Sequence, residues 1–70
     1  MTPAEVTTVL SYFTAAWPWI EVGDDTPLVW ADHLSGVDAQ DAHTAAKRCV
    51  QQLDRPPSIA EFLRHTRAVA

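Results

Sequence analysis

The residues with the most chemistry to offer are three histidines, one cysteine, nine carboxylates and five cations. Metal binding needs ligands one helical turn apart or in close pairs. His33, His43 and His65 are separated by ten and twenty-two residues, and none stands at zinc spacing from Cys49. Gly23-Asp24-Asp25 sets two acids beside a glycine, but the alternating ligands and closing glutamate of a calcium loop are absent. Covalent catalysis needs a nucleophile with a base and an orienting group in reach of it. Cys49 instead falls on an apolar helical stripe with Ala42, Ala45, Ala46, Val50 and Leu53, where cysteine serves as a small hydrophobe. Two isolated glycines make no phosphate-cradling loop. The residues thus point to no catalytic, cofactor-binding or metal-binding role, and to no small-molecule substrate.

Charge is what the sequence does organise. Residues 1–46 hold Glu5, Glu21, Asp24, Asp25, Asp32, Asp38 and Asp41 and no Lys or Arg, a balance of −7. Residues 47–70 hold Lys47, Arg48, Arg55, Arg64 and Arg67 against Asp54 and Glu61, a balance of +3. Solvated charge on helical surfaces accounts for part of such a division, but it also suits faces that meet partners of opposite sign. Arginine is enriched at protein interfaces. The candidate partner-binding residues are therefore Arg55, Arg64, Arg67, Lys47 and Arg48, with Trp19 as an aromatic anchor if it is exposed.

The elements that must position these residues are helices. Thr2-Pro3-Ala4-Glu5 is a capping box with proline in the first turn. Val6, Val9, Leu10, Phe13, Ala16 and Trp17 follow at helical spacing. Pro18 ends this helix near residue 16, and Trp17-Pro18-Trp19-Ile20 forms an aromatic corner suited to closing one end of a core. Thr26-Pro27 repeats the cap-plus-proline signal. Trp30, Ala31 and Leu34 make the inward face of a short helix, with Gly36 expected in the left-handed position after it. Asp38 caps a third helix whose alanine stripe implies close approach by large neighbours. Asp54-Arg55-Pro56-Pro57 breaks the chain, and Ser58 with Glu61 starts a fourth helix with a second capping box, Pro57 and Phe62 being spaced as a hydrophobic staple. No window alternates as a strand does. The expectation is an all-α, compact four-helix domain with helices near 3–16, 27–35, 39–53 and 59–69.

Seventy residues suffice for one small core, to which three Trp, two Phe and one Tyr bring a large apolar area. The single cysteine forms no internal disulfide, the N-terminus lacks a signal-peptide pattern, and no run approaches the ~20 apolar residues of a membrane span. A cytoplasmic setting without membrane contact is the expectation. A helix-turn-helix with Gly36 in its turn is the structural competitor. Its recognition helix would present Asp38 and Asp41, with no cation before Lys47, so DNA contact is expected to be weak and confined to the phosphates.

Three stretches together resemble a known family. They are the aromatic–proline corner from Phe13 to Trp19, the segment Leu28-Val29-Trp30-Ala31-Asp32-His33-Leu34 with the following Asp-started helix containing Ala45-Ala46-Lys47-Arg48, and the corner Pro57-Ser58-Ile59-Ala60-Glu61-Phe62. On these the chain resembles the phage replicative-helicase loader/inhibitor proteins of phage and prophage replication modules. The resemblance implies a small helical accessory of replication initiation in the host bacterial cytoplasm. It would bind the ring-shaped hexameric helicase, hold it inactive and help deliver it to the origin-binding initiator. It further implies that residues 1–70 are the N-terminal folded domain of a protein with a flexible C-terminal tail. No catalytic or ligand residue carries over. A phage inhibitor of another host protein is a further alternative.

Overall fold

The computed structural model describes residues 1–69, which form four helices: α1 (Pro3–Ala16), α2 (Thr26–His33), α3 (Ala39–Gln52) and α4 (Ile59–Val69). No strand occurs among the described residues. α1 packs against both α2 and α3, and α3 packs against α4. The molecule measures 29 × 26 × 17 Å, so its short axis spans about two helix diameters.

The core grows from the spacing of apolar residues. Val6, Val9, Leu10, Phe13 and Trp17 are buried along α1 and its C-terminal cap, facing Ala42, Ala45, Ala46 and Cys49 of α3. The alanines let backbones come close, and aromatic rings fill the remaining space. Phe13 is the hub: its ring lies 5.5 Å from Trp17, 6.5 Å from Trp30 and 5.8 Å from Phe62. Trp30 and Phe62 close the cluster at 5.6 Å, tying α2 to α4 across the core. Tilted and edge-on rings at these separations gain beyond simple area burial. Ala16, expected on the inward face of α1, is exposed, because the chain turns at Trp17 and the larger ring takes the core position.

The caps explain where three helices start. The Thr2 hydroxyl accepts from the Glu5 N–H at 3.2 Å while Glu5 Oε1 accepts from the Thr2 N–H at 2.8 Å. Asp38 accepts from the N–H groups of Gln40 and Asp41. Ser58 Oγ accepts from the Glu61 N–H at 3.1 Å, and Glu61 Oε1 accepts from the Ser58 N–H at 3.2 Å. Pro57 and Phe62, flanking this last cap, are both buried.

Three details of the expected elements differ. α2 begins at Thr26, and its N-cap is Asp25, which makes no side-chain capping bond. The Thr26 hydroxyl turns back to accept from the Gly23 N–H at 3.1 Å, closing the preceding turn instead of capping a helix. α2 stops at His33, short of residue 35, and no glycine has positive φ, so Gly36 makes no left-handed cap. The Leu34 carbonyl is satisfied otherwise: it accepts from the Val37 N–H at 3.0 Å and from the Met1 ammonium at 3.0 Å. The same ammonium donates to the Val37 carbonyl at 3.0 Å. A cation thus sits at the C-terminal end of α2, where the helix dipole favours one. α3 ends at Gln52, with Leu53 already extended as the chain enters the diproline segment.

Candidate functional site: a cationic groove between α3 and α4

The α3–α4 pairing brings two stretches of the cationic segment side by side. Arg48 and Gln52 stand one turn apart on α3, and Glu61, Arg64, His65 and Ala68 occupy adjoining turns of α4. Together they line an open groove of about 280 Å³. Cys49, Ala45 and Phe62 on the inward sides of the same helices are buried, which fixes the rotation of each helix and turns these polar positions outward.

The diproline corner shapes the electrostatics of the groove. Arg55 clamps Glu61 with both guanidinium arms, Nη1 to Oε1 at 2.6 Å and Nη2 to Oε2 at 3.1 Å. The Arg55 charge, the Ser58 N–H and the nearby Arg64 together hold the Glu61 carboxyl down from its usual 4.5 to about 2, with the Arg55 hydrogen bond the largest cause. Glu61 is therefore ionised and already paired at neutral pH. Among the described residues this is the only ion pair. Arg48 and Arg64 are left as the uncompensated charges of the groove, beside a Gln amide and an imidazole. Two guanidinium forks in such a setting suit carboxylates, which they can grip through paired hydrogen bonds.

The sequence-derived candidates separate here. Arg48 and Arg64 share the groove, and Arg55 reaches its rim through Glu61. Lys47 is exposed on α3 but lines no part of the groove. Arg67 faces a different depression, of about 210 Å³, with Gly36, Val37, Asp38, Asp41 and Thr66. Its charge thus lies near acids from the start of α3. Trp19 is 68% exposed in the α1–α2 connection, while its neighbour Trp17 closes the core. Gln52 was not among the candidates. Its signal was its position four residues after Arg48, which repeats the outward step along α3.

Cys49 is fully buried, and burial, with Glu61 nearby, pushes its thiol from 9.0 up to about 11. It is a packing residue with little thiolate character. Among the described residues, no group of three or more His, Cys, Asp or Glu side chains is placed to hold a metal ion, and no helix is long and apolar enough to cross a membrane.

Compared with known proteins, the chain finds no significant match to a curated protein or to a solved structure. It does match, over residues 1–63, the family made up of the N-terminal domain of the phage gp39 helicase-loader/inhibitor proteins. That span takes in α1, α2, α3, the capped diproline corner and the first turn of α4. Matched along all but its last seven residues, the chain belongs to the gp39 N-terminal domain family.

Proposed function

We propose that this chain is an accessory protein of phage DNA replication that binds the replicative helicase as a loader/inhibitor and acts stoichiometrically, without a reaction of its own. Membership of the gp39 N-terminal domain family carries this reading. It agrees with the resemblance to helicase loader/inhibitor proteins that the aromatic–proline corner, the Trp30 segment and the Ser58–Glu61 corner convey. Such a protein would work in the bacterial cytoplasm, and delivery of the helicase to an origin-binding initiator is the step it would serve. A flexible tail following this domain would share in the helicase contact.

The α3–α4 groove is the docking site we assign to this role. Arg48 and Arg64 would meet acidic side chains of the helicase. The clamped Arg55–Glu61 pair and the two prolines hold the groove's rim in place, which lowers the ordering cost of association. The helix-turn-helix alternative has less support. α2 packs on α1 and is not among the principal partners of α3, and the first turn of α3 presents Asp38 and Asp41. Mixing the purified protein with the phage or host helicase and measuring ATPase activity and co-elution tests the role. Stoichiometric complex formation with a change in helicase activity is expected. Absence of any complex with either helicase would overturn it.

A further inference from the structure

The large apolar side chains left exposed among the described residues are Tyr12, Trp19, Val22, Leu28 and Val29, all in the stretch from late α1 through α2. α2 itself is peculiar. It has eight residues and not one of them is buried, and a helix so short is marginal without tertiary support. Leu28 and Val29 remain 56% and 50% exposed. Asp25, Leu28, Val29 and Asp32 stand at helical steps of three, four and seven, which places them on one side of α2, away from Trp30 and Leu34. That outward face is an apolar pair with a carboxylate at each end, and Glu21 and Asp24 add charge in the adjoining turn. Trp19, in the connection leading to it, is more exposed still.

We infer that the outward face of α2 is a second docking surface, distinct from the α3–α4 groove, and that its occupant is a cationic amphipathic helix of a partner protein. Charge complementarity selects this occupant. Nucleic acid and anionic lipid are both repelled by Asp25, Asp32, Glu21 and Asp24. A second copy of this chain fits poorly in either orientation. Face to face, it would set these acids against their own equivalents. Head to tail, it would offer the polar lining of Arg48, Gln52 and Arg64, which has no apolar stripe for Leu28 and Val29. An apolar stripe bordered by Lys or Arg satisfies both halves of the face. Apolar contact supplies affinity, and the charged rim sets orientation and encounter rate.

The probe is a fluorescent Leu/Lys amphipathic helical peptide of about five turns, titrated by anisotropy against the whole chain. A Leu/Glu peptide of the same pattern serves as control. The Leu/Lys peptide is expected to bind with an affinity that falls as salt rises, and the Leu/Glu peptide to bind at least about tenfold more weakly. The double variant Leu28→Ser with Val29→Ser should lose about tenfold or more in affinity while keeping its circular dichroism, since both side chains are exposed. Asp25→Asn with Asp32→Asn should flatten the salt dependence. Arg48→Glu with Arg64→Glu should leave this binding intact or strengthen it, so the surface is tested independently of the groove. Equal binding of the two peptides, or unchanged binding by the Leu28/Val29 variant, would overturn the inference. So would a dimer, seen by sedimentation, that the same variant dissolves, or binding of the chain to vesicles of anionic lipid.

Discussion

Glu61 does two jobs with one carboxylate: it completes the cap of α4 and receives the Arg55 fork. Both favour its ionised form, so its carboxyl is depressed to about 2 in the folded protein. A depressed carboxyl adds stability that is fully present above its unfolded pKa and lost as the pH falls through the folded one. The window is therefore from about pH 4.5 down to about pH 2. Glu61→Gln should flatten the acid limb of a plot of stability against pH in that window and lower stability at neutral pH, as followed by urea unfolding at a series of pH values. Ser58→Ala removes the other half of the cap and should cost about 1 kcal/mol. Cys49 gives a second residue-scale test. Its buried, mostly protonated thiol should react with a thiol-specific reagent only as fast as the native state opens, so denaturant should accelerate labelling in step with unfolding. Phe62 is fully buried between Phe13 and Trp30. Phe62→Ala should cost about 3–5 kcal/mol, a large part of the roughly 4–10 kcal/mol available to a chain of this length.

At the scale of elements, the four helices were legible because local signals and apolar spacing agreed. Thr2–Glu5, Asp38 and Ser58–Glu61 each cap the helix they precede, and Val6, Val9, Leu10 and Phe13 face inward as their spacing requires. α2 was the element least well read, and for a physical reason. Its ends are set by tertiary and turn contacts that no short window contains. Thr26 serves the Gly23 turn, and the Met1 ammonium, more than thirty residues away in sequence, binds the carbonyls beyond the helix. Gly36 followed a pattern that usually marks a left-handed residue, yet its φ is negative and a methyl group there would meet nothing within 4 Å. Gly36→Ala should therefore be neutral or stabilising by up to about 1 kcal/mol, measured by thermal or urea unfolding. A strong destabilisation would show that the turn needs glycine's freedom after all. The groove was half legible. Arg48 and Arg64 stood out by charge, but that they share a groove while Arg67 turns to another follows from the rotation of α4 against α3, which the sequence does not print.

At the scale of the molecule, charge and apolar exposure are divided between its two ends. α3 and α4 carry the cations and a polar groove, whereas α2 and its flanking turn carry acids and exposed apolar side chains. Phe13, Trp30 and Phe62 join the two ends through one aromatic core, so the domain can hold two surfaces of opposite character in fixed relation. This arrangement suits a protein that works by occupying partners. The central claim is that the α3–α4 groove docks on an acidic surface of the replicative helicase. Calorimetric titration of the helicase with the native chain and with Arg48→Glu/Arg64→Glu tests it most directly. Both side chains are exposed, so the variant should fold. The account predicts tight, salt-sensitive binding by the native chain and a loss of about tenfold or more in the variant. Equal affinities for the two proteins would contradict it.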